Sequence, residues 1–453
     1  MSQLSKIRTL CFDCIWLSVF FISLPWLVWR FVFKGKNRRG WKQKLFGMVA
    51  VSKKQSNAKR VWLHAVSVGE VHLLKTLVRQ LLEANRDLEV VISTTTETGY
   101  DRAIALFGDR HQVCFFPFDF SWAIRNVFKR IDPDLLVLAE LELWPNLIHL
   151  AAELDLPVVV VNGRLSKNSH RNYRRFGFLT RAMFENLHYV AAQDDISAER
   201  FVDAGCALQR VSVTGNLKYD AIETNRTNAK SDACRVIARE FGISDSDQIL
   251  IAGSTQIEDE EVSVDAWLEL RKTIDNLKLI IVPRHPDRIA EVEKLLSSRG
   301  LNANRRSHHR SSVSDSDILI VDVIGELSGW WALADVAFVG GSMGSRGGQN
   351  MIEPAAYGIP VCFGPNTSNF RSTVDGLLSA DAAKMVRDAD DLVRFASAML
   401  NDEFKSSAIG ARAQEFVLQS RGAVDQTVKL IAESLSVPVI AESALARRNR
   451  ISA

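Results

Sequence analysis

From residue 61 onward the chain alternates short apolar runs with longer amphipathic stretches. In the first half the runs are Val61–Val66, Leu88–Ser93, Gln112–Phe116, Leu135–Ala139, Pro157–Val161 and Tyr189–Ala192. Helical spacing of apolar positions fills the gaps, as in Val71–Leu82 and Trp144–Glu153. Apolar runs without strict alternation suit strands covered on both faces, and strand–helix alternation predicts a doubly wound parallel sheet. The second half repeats the plan with Ile249–Ala252, Leu277–Val282, Ile318–Val321, Val336–Val339 and Pro360–Phe363. The polar stretch Asn216–Asp232 reads as a linker, and Arg305–Ser316 as an exposed loop. The expected architecture is α/β, with two Rossmann-like domains facing across a cleft. They occupy residues 46–222 and 223–435 and leave a tail at 436–453. In open sheets of this kind, ligands bind beyond the carboxyl ends of the strands.

Residues 1–45 break the pattern. Ile15–Trp29 is an uncharged run rich in Phe, Leu, Ile and Trp. As a helix it rises about 23 Å, short of the ~30 Å hydrocarbon core, and extension to Phe33 nearly completes a span if Arg30 snorkels. A single N-terminal membrane anchor is expected, ahead of a helix lying in the membrane plane or a cleaved signal peptide. A basic cluster follows the run, and no small-residue cleavage site does. The formal net charge is only +3, yet Cys14 to Gly69 contains eleven Lys and Arg with no Asp or Glu, so the rest of the chain is acidic. The positive-inside rule places that acidic body on the cytoplasmic side. A basic head on an acidic body fits contact with an anionic surface through the head. It does not fit a nucleic-acid binder, whose basic residues would stripe the folded domain. The six cysteines are scattered.

Chemistry-bearing residues follow the strands. Phe338–Pro354 holds a run into a loop with five glycines, and a helix is expected to open near Asn350. Glycine lets backbone N–H groups approach a ligand, and a helix N-terminus favours a phosphate. Ser342 lies in this loop, and Glu353, one turn into the helix, could accept from sugar hydroxyls, so a nucleotide-sugar site is expected. Ser67-Val68-Gly69-Glu70 follows the first run, where Glu70 could serve as a general base or simply complement the helix dipole. Glu140-Leu141-Glu142-Leu143-Trp144-Pro145-Asn146 follows the fourth, and one of its carboxylates is expected to point into the cleft. Arg164, Lys167, His170, Arg171, Arg174 and Arg175 form a cationic cluster that could meet acceptor phosphates or be a solvated helix face. Ser254 and Thr255 suit an anion nest, and Arg284 suits a forked donor to phosphate or carboxylate. Gly325-Glu326 is one more glycine opening a helix.

Absences narrow the chemistry. There is no Walker A lysine loop and no Cys/His set with zinc spacing. Three of the four Asp-x-Asp pairs, Asp132/Asp134, Asp245/Asp247 and Asp315/Asp317, precede strands, at the sheet end away from the cleft. The fourth, Asp388/Asp390, lies in a late polar stretch. N–H groups and Arg, rather than a divalent metal, are expected to hold the phosphate, and no cofactor is expected.

Read in series, Trp62–Glu70, Glu142–Asn146, Thr214–Asp220, Pro283–Pro286 and Gly340–Pro354 resemble the 3-deoxy-D-manno-octulosonic acid (Kdo) transferases of lipopolysaccharide assembly. The resemblance implies a GT-B glycosyltransferase at the inner membrane. Its donor would be CMP-Kdo and its acceptor a lipid A precursor, with inversion and no metal. By the same analogy Glu70 is the general base with Glu142 close by. Ser254, Thr255, Arg284, Gly325, Glu326, Ser342 and Asn350 bind the donor, and Glu353 holds the cytidine ribose. Arg164, Lys167 and Arg171 are expected on the acceptor side. Two positions depart from the pattern: Gln256 and Gln349 stand where the family usually has His, keeping a donor but not a charge. Another nucleotide-sugar donor, or a catalytically inactive membrane-attached binding protein, are the alternative readings.

Overall fold

A computed structural model describes residues 3–33, 39–308 and 316–436. Most of the expected Arg305–Ser316 loop, the flank residues Lys34, Lys36 and Arg38, and the tail beyond Ser436 lie outside the described residues. The chain divides into two compact units, Met1–Ala221 with Arg421–Ala453 and Ile222–Ser420.

The first unit is built on seven parallel strands: β1 (Lys59–His64), β2 (Leu88–Thr94), β3 (Gln112–Phe115), β4 (Leu135–Ala139), β5 (Val158–Gly163), β6 (Tyr189–Ala192) and β7 (Val211–Val213), in the order β3-β2-β1-β4-β5-β6-β7. β1 shows why its apolar run is unbroken. Trp62 joins a core with Phe116 and Phe128 on one face, while Val61 and Leu63 join Leu74 and Leu77 on the other. Successive side chains point to opposite faces, so a strand covered twice needs apolar residues throughout. The order reverses at β1 and β4, which pair Leu63 with Val137 and His64 with Leu138.

The second unit repeats the design with β8 (Gln248–Thr255), β9 (Leu277–Pro283), β10 (Asn304–Arg305), β11 (Ile318–Ile320), β12 (Val336–Val339), β13 (Val361–Phe363) and β14 (Ala383–Met385), in the order β10-β11-β9-β8-β12-β13-β14. Here the order reverses at β8 and β12, with Gly253 beside Val339. β7, β10 and β14 are absent from the apolar pattern because they are edge strands of two or three residues, none of them buried throughout.

Two boundaries differ from the sequence expectation. The division falls inside the polar linker, at Ala221, but the second unit ends at Ser420 rather than 435. The helix Ala423–Ser436 returns to the first unit because its apolar face, Ala423, Val424, Leu430 and Ile431, completes the core beside Leu73 and Leu77. The N-terminal helix, Gln3–Phe33, is not a separate head either. Buried Asp13 accepts from the Ser121 N–H at 2.8 Å, from the Ser121 hydroxyl at 2.6 Å and from Asn146 Nδ2 at 3.1 Å. Trp16 Nε1 donates to Asp119 at 3.0 Å, and Asp119 also accepts from the N–H groups of Asn146 and Leu147.

Candidate functional site

In the first unit the carboxylates stand at the ends of the two strands that flank the reversal. β1 runs into Ser67, the N-cap of the helix Val68–Ala84. Glu70 closes a reciprocal cap: its Oε1 accepts from the Ser67 hydroxyl and its Oε2 from the Val66 N–H, both at 2.8 Å. The cap therefore fixes the carboxylate's position. Burial raises the Glu70 carboxyl above its usual range, Glu140 adds to the rise, and the two hydrogen bonds oppose it. β4 ends at Glu140, whose φ of 59° is left-handed for a non-glycine residue. The strained turn delivers Glu142, which accepts from Trp144 Nε1 at 3.1 Å. Burial, then the charges of Glu70 and Glu140, push the Glu142 carboxyl up to about 7. Three carboxylates thus share one electrostatic neighbourhood at the carboxyl edge of β1 and β4. Tyr173 belongs to it as well, its phenol raised by burial and by Glu142. Tyr173 was not anticipated, because only the fold brings residue 173 to residue 142. Behind this edge, His64 is fully buried, stacks on Phe116 and is pushed down to about 3 by burial, so it is a neutral core imidazole.

Arg164, Lys167 and Arg171 are exposed on the loop after β5 and on the helix Lys167–Arg175, which buries no residue. The preceding Asn162 has a left-handed φ of 55°, and its Oδ1 accepts from the Leu217 N–H at 3.0 Å.

In the second unit the expected donor residues follow four neighbouring strands, β11, β9, β8 and β12, and their roles separate. Arg284, after β9, is exposed. Asn350 donates to Glu353 at 3.0 Å and accepts from the Ile352 N–H at 3.1 Å. Burial raises the Glu353 carboxyl, while Asn350, Lys230 and Arg284 oppose the rise, so Arg284, Asn350 and Glu353 come together. Lys230, on the helix Ala229–Glu240, was missed because no motif surrounds it. Ser254 has a left-handed φ of 57°, a strained conformation at a strand end that often accompanies a functional site. Gly325 takes φ +92°, as its position at a turn requires.

Other expected donor residues are committed inside the fold. Thr255 is fully buried and donates to Glu260 at 2.8 Å, and Glu260 is gripped by both terminal nitrogens of Arg288. Glu326 accepts from Arg306 Nε at 3.1 Å and Nη2 at 3.0 Å, and from Trp330 Nε1. Ser342 is fully buried, donating to the Val339 carbonyl at 2.6 Å and accepting from the Gly364 N–H at 2.8 Å. The glycine loop itself folds around an internal anion. Asp259, fully buried on the helix Ile257–Leu270, accepts from the N–H groups of Gln256, Gly341, Ser342 and Met343 at 2.8, 2.6, 3.2 and 2.9 Å. Those three loop N–H groups, expected to face a phosphate, are occupied by Asp259. The helix expected at Asn350 runs only from Ile352 to Ala356, too short to supply much of a dipole. Gln256 Nε2 is buried without a hydrogen-bond partner.

Known proteins resemble this chain in sequence and in fold. The profile of the family described as 3-Deoxy-D-manno-octulosonic-acid transferase (kdotransferase) matches residues 39–221. A 3-deoxy-D-manno-octulosonic acid transferase of Haemophilus influenzae is 33% identical over 372 residues, 82% of this chain and 86% of that protein. The corresponding enzyme of Chlamydophila psittaci is 31% identical, over 93% of this chain and 96% of its own length. Among solved structures, a glycosyltransferase from Rickettsia africae aligns at a TM-score of 0.58 with 12% identity, covering 84% of this chain and 99% of that one. UDP-GlcNAc 2-epimerase from Neisseria meningitidis, bound to UDP-GlcNAc, aligns at 0.56 with 14% identity, over 83% of this chain and 99% of that one. The likeness to these last two is one of fold, two Rossmann-like units of the GT-B type. By sequence, the chain belongs to the 3-deoxy-D-manno-octulosonic acid (Kdo) transferase family of glycosyltransferases.

Proposed function

We propose that this Kdo transferase takes the sugar from CMP-Kdo and adds it to a lipid A precursor at the cytoplasmic face of the inner membrane. Glu70 acts as the general base. Its carboxylate takes the proton of the acceptor hydroxyl as that oxygen bonds to the anomeric carbon of Kdo, and the bond from that carbon to the CMP phosphate breaks on the opposite face. The product is the inverted ketoside, CMP leaves with the bonding electron pair, and Glu70 ends protonated. Arg284 and oriented donors stabilise the charge that develops on the departing phosphate. CMP leaves as a monophosphate ester, which carries less charge than a diphosphate, so side-chain cations suffice without a metal. Arg164, Lys167 and Arg171 meet acceptor phosphates, and Glu353 accepts from the donor's ribose.

The observation that carries this reading is the meeting of Glu70, Glu140 and Glu142 at the reversal of the first sheet. Burial first, and then repulsion between neighbouring carboxylates, raise the proton affinity of Glu70 and push Glu142 up to about 7. The test is incubation of the full-length protein with CMP-Kdo and a tetraacylated lipid A precursor, following CMP release and product mass. CMP release coupled to a mass gain of one or more Kdo units is expected. Wild-type protein that releases no CMP would overturn the proposal.

A further inference from the structure

The N-terminal helix is long and apolar enough to cross a membrane, with Thr9–Trp26 an eighteen-residue apolar window. Its contacts argue otherwise. Thr9, Asp13, Trp16 and Phe20 recur at helical spacing on one face, and that face is against the first unit. Thr9 and Asp13 are buried, Asp13 and Trp16 make the hydrogen bonds given above, and Phe20 packs edge-on against Phe120. The opposite face carries Ile15, Val19, Ile22, Trp26 and Trp29, all exposed, with Ile22 at 81%. The clamp extends over about 17 Å of helix, from Thr9 to Phe20. Between Phe20 and Phe33 only about 20 Å of helix remains, against a hydrocarbon core of ~30 Å. The helix cannot hold a folded polar domain along its first half and cross the bilayer with its second.

We propose that this helix lies in the plane of the membrane, one face clamped to the first unit and the other in the lipid, so that both ends of the chain are on the cytoplasmic side. The occupant of the exposed face is an anionic bilayer surface, a deepening of the membrane attachment assumed above. Two apolar features of the first unit adjoin the helix. At one end, Phe12 shares a small cleft with Leu179 and Met183, beside Phe178, which is 83% exposed, and the exposed Arg174 and Arg175. At the other, Phe120 stacks on the exposed Trp122, whose indole donates to Leu45 next to the exposed Phe46. An apolar stripe flanked by basic side chains is the composition of an interfacial helix on anionic lipid. The same clamp reaches the candidate site, because Trp16 packs edge-on against Trp144, the donor to Glu142.

The test uses full-length protein in a Gram-negative inner membrane with alkaline phosphatase or a fluorescent protein fused at either end. Inactive phosphatase and bright fluorescence at both ends are expected. Active phosphatase at the N-terminus would show a crossing helix and overturn the proposal. In parallel, Ile22→Asp with Phe21→Asp should lower the fraction bound to phosphatidylethanolamine–phosphatidylglycerol vesicles by about tenfold or more, with the circular dichroism melt unchanged. Full retention on vesicles, or a wild-type protein that stays off vesicles as a dimer, would also overturn it. None of these readouts needs Kdo transfer, so they stand or fall separately from the proposed reaction.

Discussion

The two units share a sheet plan and a reversal between paired strands, yet several of the acidic side chains near those reversals are held differently. In the second unit Asp259 receives four backbone N–H groups, Glu260 is held by Arg288, and Glu326 by Arg306 and Trp330. These carboxyl groups are tied up by donors inside the fold. In the first unit Glu70 and Glu142 receive one or two neutral donors each and repel one another, with Glu140 adding to the field. Burial raises Asp259, Glu260, Glu70 and Glu142 alike, but backbone donors oppose the rise at Asp259 and Arg288 opposes it at Glu260, whereas carboxylate neighbours add to it at Glu70 and Glu142 and suit that pair to acid–base work.

That contrast breaks most sharply at Glu70. Glu70→Gln keeps both hydrogen-bonding positions but removes the base. It should lower kcat/KM for CMP release by about a thousandfold while leaving the thermal melt near wild type. A variant of equal activity would make Glu70 a cap and nothing more. The counterpart in the second unit is Asp259→Ala, which strands four N–H groups. Urea denaturation should show a loss of about 3 kcal/mol or more, with a raised KM for CMP-Kdo because the loop loses its anchor. Little loss of stability would refute the anchoring role.

The smallest effect is in pH dependence. The folded Glu142 carboxyl stands near 7, above its ordinary range, so the folded protein keeps a proton that the unfolded chain has already released. The stability this contributes is complete below about pH 4 and is lost as pH rises through about 7. Glu142→Gln should remove that fall, so its urea midpoint should drop less between pH 5 and pH 8 than that of wild type. Asp119, pushed to about 7 by burial, adds a fall of the same sign to both proteins and cancels in the comparison. Identical pH dependence in the two proteins would show that Glu142 is not the titrating group.

The placement of Glu70 and Glu142 was legible because each follows an apolar run within a few residues, and the rules for parallel sheets put such positions at the ligand-binding edge. The role of Ser342 was not. Its sequence neighbours are loop residues, but its hydroxyl bridges Val339 and Gly364 in the interior. Asp259 escaped notice because an acidic residue early in a helix has an ordinary local explanation, the dipole, and its loop partners lie 82 to 84 residues away. The N-terminal helix was recognised by apolarity, which measures suitability for lipid and says nothing of a clamp made by Asp13 and Asn146, 133 residues apart.

By itself the amino-acid order determined where the central strands run and which chemistry sits at their ends, because strands buried on both faces must be written as apolar runs and the turns after them as small and polar residues. Only the tertiary structure decided which carboxylates are neutralised, which remain poised, and which side of the N-terminal helix is covered. Those outcomes depend on hydrogen bonds and fields between residues far apart in the chain, and no local pattern encodes them.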